Sequence, residues 1–129
     1  VGTVCAMQVA WGADAYAPPP MYNISAVSLR DAGLQQGRLA KERIRGWLGT
    51  TEMTELAEYA IKGEGRAAFR QLKADNTRFA PLLVGELEGV AGGAEVPLDL
   101  IWVATMINEL ESLRAFPPGN ATAAAAATT

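Results

Sequence analysis

The chain has 129 residues, of which 50% are hydrophobic, 19% charged and 7% aromatic. That is the length of one small domain or part of one, and the composition can bury a core. Eleven Lys and Arg stand against fourteen Asp and Glu, a formal net charge of −3, which argues against a nucleic-acid binder, since that needs a concentrated basic surface.

There is no histidine, so a His-based triad, zinc site or His acid–base pair cannot be built within this chain. The single cysteine, Cys5, can form neither an internal disulfide nor a Cys-cluster metal site. Neither a metal nor a cofactor is expected.

The sequence starts at Val1 rather than Met, and its beginning is expected to be missing or processed. The apolar, uncharged stretch Val1–Gly12 is followed by Ala13-Asp14-Ala15. This is the pattern of a signal-peptide h-region with a small-x-small cleavage site, the alternative being a disordered or strand-like segment. Asn23-Ile24-Ser25 and Asn120-Ala121-Thr122 both fit the N-glycosylation sequon. Together these features point to the secretory route. No stretch has the ~18–20 consecutive apolar residues of a transmembrane helix.

Tyr16–Pro20 (YAPPP) reads as an extended linker, because consecutive prolines impose polyproline geometry. Ile24–Leu29 alternates apolar and small polar residues and reads as one short strand. Asp31 is expected to cap a helix running to about Leu48. Gly33, Gly37, Ala40, Ile44, Trp47 and Leu48 fall on one stripe of it, while Arg38, Lys41 and Arg45 form a solvated face. Two glycines and an alanine at one end of a buried stripe mean close approach to another element.

Thr51–Lys62 reads as a second helix with Thr51 as cap, and Arg66–Ala74 resumes the pattern after Gly63 and Gly65, as one bent helix or two. Pro81 suits the first turn of a third helix, which Gly92-Gly93 would end or bend. GVAGGAEV lacks both GxGxxG and GKS/T, so it is not a phosphate loop. A fourth helix, Leu98–Leu113, is apolar almost all round and should be buried. The fold is therefore mostly α, about four helices after one short strand. It divides into a leader and linker over 1–20, a helical region over 21–113 and a flexible tail over 114–129.

One residue of the fourth helix does not fit. On a continuous helical wheel Glu109 falls within ~20° of Leu98, inside the apolar stripe. A carboxylate there either swings out to water at the helix end or is buried and paired, ordering a site with Asn108 beside it. Glu111 lies off the stripe. No nucleophile–base pair is apparent anywhere.

The order of motifs resembles the N-terminal part of the acyl-coenzyme A:6-aminopenicillanic acid acyltransferase family. The matching residues are Gly33-x-x-x-Gly37, then Glu86-x-x-Gly89-Val90-Ala91-x-Gly93-Ala94, then a buried helix carrying Asn108-Glu109. The resemblance spans roughly Ser25 to Leu113, with ELEGVAGGAEV its most specific part. It implies the α-chain of a cysteine N-terminal nucleophile hydrolase with a four-layer αββα fold. In such a precursor self-cleavage precedes a cysteine, which becomes the nucleophile and supplies its α-amino group as base. Phospholipase B-like proteins are similar in the stretch IWVATMINELESL.

The resemblance implies several further things. The catalytic residues would lie outside this chain. Its partners would be the β-chain of the same precursor and a small acyl-amide or lipid-like substrate. Localisation would be secreted or lysosomal. Gly33, Gly37, Gly89 and Gly93 would serve close packing. Asn108 and Glu109 would support the site of the β-chain, and FPPGNATAAAAATT would be the flexible linker that self-cleavage needs.

Overall fold

A computed structural model describes residues 20–118. The leader-like stretch, Cys5, almost all of the YAPPP segment, the Asn120 sequon and most of the tail lie outside the described residues. Seven helices follow one another, and no strand occurs among the described residues: α1 (Leu29–Leu39), α2 (Lys41–Leu48), α3 (Thr51–Ile61), α4 (Arg66–Phe79), α5 (Pro81–Ala94), α6 (Leu98–Thr105) and α7 (Ile107–Ala115).

The expected strand at Ile24–Leu29 does not form. Its last residues belong to a helix start instead. Ser28 caps α1, its hydroxyl accepting from the Asp31 nitrogen at 3.1 Å, while the Asp31 carboxylate accepts from the Val27 nitrogen at 3.2 Å. The first bond satisfies a donor that a helix start leaves open and the second ties the residue before the cap to the first turn, so Asp31 sits in that turn and is not the cap. Gln35 donates to the Ser25 carbonyl at 2.8 Å and ties the preceding extended segment to α1.

Two of the expected helices are each divided in two. The first breaks at Ala40 (φ −100°, ψ 10°) and the last at Met106 (φ −110°, ψ 28°). Between Ile61 and Arg66 the chain turns around Gly63 and Gly65, so α3 and α4 are separate helices. Thr50, one residue earlier than expected, caps α3 by accepting from the Met53 nitrogen at 3.4 Å. Gly92-Gly93 does not end α5. Both are helical, and the left-handed stop falls on Glu95 (φ 55°). There Val96 N donates to Ala91 O at 3.0 Å and Glu95 N to Gly92 O at 3.3 Å, the bond pair of a Schellman cap.

The core is drawn from α2 to α7. Leu48, Met53, Leu56, Phe69, Leu87, Trp102, Val103, Met106 and Leu110 are buried together, with Leu56, Val103 and Leu110 completely enclosed. Each such side chain contributes ~1.5–3 kcal/mol on leaving water. Helix α1 differs, because its buried residues are only Gly33 and Gly37. It adds no large side chain to this core and is held by the backbone of α5.

Candidate functional site

The four glycines that the sequence marks for close approach meet along one seam between α1 and α5. A Cβ on Gly33 would lie 3.0 Å from the Val90 nitrogen, and one on Gly37 would lie 2.8 Å from the Ala94 nitrogen. From the other side, a Cβ on Gly89 would reach 2.7 Å from the Leu34 nitrogen, and one on Gly93 would reach 2.8 Å from the Arg38 nitrogen. The partner number rises on both helices together, so α1 and α5 run parallel, one residue in four facing the other backbone.

Two ion pairs cross the seam. Arg30 meets Glu88 at 3.4 Å near the start of α1, and Lys41 meets Glu95 at 2.6 Å beyond its end. Lys41 is the first residue of α2, where a cation opposes the helix dipole, and Glu95 follows the last turn of α5, where an anion does. Each charge offsets the other's unfavourable helix end. The Lys41 ammonium, donating to and attracting the Glu95 carboxylate, holds that carboxyl below its ordinary value of 4.5. A third pair, Lys73 to Asp99 at 2.5 Å, fastens α4 to the first turn of α6.

Asn108 and Glu109 are placed otherwise than a continuous wheel requires. Both are exposed on the first turn of α7, and Glu109 is not inside an apolar stripe. The break at Met106 resets the helical phase. Met106 itself is buried, its sulfur taking the Asn76 amide at 3.8 Å, and Leu110 is the buried residue of α7. The structure does not bring Asn108 or Glu109 to the glycine seam or to either depression described below. Asn23 is exposed in the extended segment ahead of α1.

Two depressions lie on the surface formed by the described residues. One, of about 320 Å³, lies over the seam and is lined by Arg30, Asp31, Leu34 and Glu88. Its charges are already committed, Arg30 to Glu88 and Asp31 to the helix start. The other, of about 290 Å³, is a mostly apolar groove between α2, α5 and α6, lined by Ile44, Leu83, Val90 and Ile101 together with Trp47, Glu86 and Thr105 and with Gln36 of α1. The sequence signal for this groove is faint: Trp47 reads as one more member of the buried stripe, yet it is 46% exposed. Among the described residues no three His, Cys, Asp or Glu gather to hold a metal ion. No helix among them is long and apolar enough to cross a membrane. The chain matches no family model, no curated protein and no solved structure.

Proposed function

We propose that this chain is the non-catalytic α-chain region of a cysteine N-terminal nucleophile amidase or acyltransferase. The reaction would be acyl transfer or amide hydrolysis. A cysteine outside the chain would attack the carbonyl, the amine would leave, and water or a second amine would release the acyl group. In this reading the helices pack against a β-chain of the same precursor within an αββα fold, and the protein follows the secretory route. The substrate would be a small acyl-amide or lipid-like molecule.

The observation that carries the reading is the seam itself. The two glycine segments on which the resemblance rests, Gly33 to Gly37 and Gly89 to Gly93, pack directly on each other. Residues that make a motif in sequence thus share one physical task in space. The test is the full-length transcript. The reading expects a cysteine codon soon after Thr129, followed by strand-rich sequence, and a precursor that splits at that cysteine. A stop codon directly after Thr129 refutes it.

A second reading is a secreted helical binding module without catalysis. The apolar groove beside Trp47 favours it, because a concave apolar groove with an exposed indole is what a binding protein presents. A phospholipase B-like hydrolase fragment is the variant of the first reading in which the substrate is a lipid. It shares the same precursor test.

A further inference from the structure

The groove between α2, α5 and α6 combines three properties that together select a ligand chemistry. Its floor is apolar and pre-formed, since Leu48, Leu87 and Ile101 belong to the core and show only their last 6–8% of surface. Glu86 is the one charged side chain lining it. Glu86 is half-buried and makes no ion pair among the described residues, unlike Glu88 two positions on, which is paired to Arg30. Trp47, the largest aromatic ring in the lining, is half exposed there.

An apolar trough lined by one carboxylate without an ion pair among the described residues and by one half-exposed indole suits an apolar monocation. The hydrocarbon part fills the trough. The cationic head meets the Glu86 carboxylate by charge and the Trp47 ring by cation–π attraction. An anionic head would face Glu86 across a low-dielectric wall and be rejected. A neutral hydroxyl head can hydrogen-bond to Glu86 or Gln36 but gains neither the charge attraction nor the cation–π contact.

We infer that this groove is a binding site for a small amphiphilic amine, an alkyl or aralkyl ammonium whose head lies between Glu86 and Trp47. The inference goes beyond the cysteine-hydrolase reading and does not rest on it. It holds equally for a binding module, and it can fail while that reading stands.

Octylammonium is the probe, compared with octanol and octanoate at neutral pH and fixed ionic strength, below aggregation, by calorimetric titration of the whole chain. Octylammonium should bind one to one, at least about tenfold more tightly than octanol, with octanoate weaker still. Glu86→Gln should abolish the preference for the cation over the alcohol and change octanol binding less than about twofold, since the amide keeps an acceptor oxygen. Trp47→Leu should weaken the cation by a few-fold more than the alcohol. Glu88→Gln, in the other depression, should change neither ligand. Helix content by circular dichroism confirms that each variant is folded. Head-group-blind binding, a cation preference that survives Glu86→Gln, or no binding of octylammonium at millimolar concentration would each overturn the assignment.

Discussion

Gly37 and Gly93 lie backbone to backbone across the α1–α5 seam: a Cβ on Gly37 would stand 3.0 Å from the Gly93 Cα, and one on Gly93 would stand 3.0 Å from the Gly37 carbonyl carbon. Each glycine is therefore the space that the other helix occupies. No flexible side chain is in the way to move aside. A methyl group at either position must push two helices apart.

That argument sets the first expectation. Gly33→Ala, Gly37→Ala, Gly89→Ala and Gly93→Ala should each destabilise the chain by about 1–3 kcal/mol or more, the usual cost of overpacking. Gly46→Ala is the internal control. It lies in α2 with nothing within 4 Å of its added Cβ, so it should gain about 0.5–1 kcal/mol through reduced chain entropy. Urea unfolding of the five variants checks the contrast. Equal effects at Gly46 and Gly33 would mean that the seam is loose.

The seam was legible in the sequence because a spacing of four keeps residues on one helix face. The breaks at Ala40 and Met106 were not legible. Neither position carries Pro or Gly, and alanine by itself favours continuing a helix. These breaks are set by what the two halves pack against, which no local pattern reports. Of the two alternatives for Glu109 the solvent-facing one holds, since a wheel drawn through Met106 carries a phase that the chain does not keep. The stop of α5 misled in the same way. Gly92-Gly93 looked like the terminator, but the helix uses Gly93 for close approach and leaves the left-handed turn to Glu95. The Ser28–Asp31 start carries the S-x-x-D pattern of a helix N-terminus, but it overlaps the alternating stretch ISAVSL, whose period is that of a strand.

The Lys41–Glu95 pair should make stability depend on pH in acid. The Glu95 carboxyl is held below 4.5 in the folded chain by the Lys41 hydrogen bond and charge. A lowered folded value means that the unfolded chain takes up its proton first. The contribution is thus fully present above about 4.5 and fades as the pH falls through the lowered folded value. Lys41→Met should melt lower than the wild type at pH 7, by a few degrees at most for so exposed a pair. The gap should narrow as the pH falls from 5 to 3. Parallel curves for the two proteins over that range would show that the pair contributes nothing.

The Lys73–Asp99 pair joins residues 26 positions apart and adds a carboxylate to the first turn of α6. Lys73 also lies 5.2 Å from the centre of the Phe69 ring. Asp99→Ala should cost about 1 kcal/mol, partly from the lost pair and partly from the helix dipole. A double-mutant cycle with Lys73→Ala should return a coupling of about 0.2–1 kcal/mol that shrinks in high salt. A coupling of zero at low salt would assign the whole effect to the helix start.

The chain leaves large side chains in water: Val27 is 98% exposed, Phe116 81%, Phe79 78% and Leu82 74%. Phe79 and Leu82 flank the turn between α4 and α5, so they sit close together in sequence at one corner. Scattered apolar residues are ordinary on a soluble surface, whereas a contiguous patch calls for a partner. Under the α-chain reading this corner is covered in the precursor. The isolated chain should then bind a hydrophobic dye or self-associate, and Phe79→Ser with Leu82→Ser should suppress both without loss of helix content. A monodisperse, dye-silent wild-type chain with a sharp melt would favour the independent module.

Glu109 allows structural cost and functional role to be separated. It is exposed in the first turn of α7, where a carboxylate gains from the helix N-terminus by about 0.3–1 kcal/mol. Glu111, also exposed, lies two residues further along the same helix, where the dipole effect is weaker. In the isolated chain Glu109→Gln should therefore cost a few tenths of a kcal/mol more than Glu111→Gln, and both variants should fold. An exposed carboxylate has no need of partners within this chain and is free to meet one from a β-chain. Under the α-chain reading Glu109→Gln in the full-length precursor should slow self-cleavage several-fold, far more than its small stability cost explains, while Glu111→Gln processes normally. Processing rate measured at equal expression gives the comparison. Wild-type rates in both variants would leave Glu109 as a helix-end charge facing water, and would remove it from any account of the site.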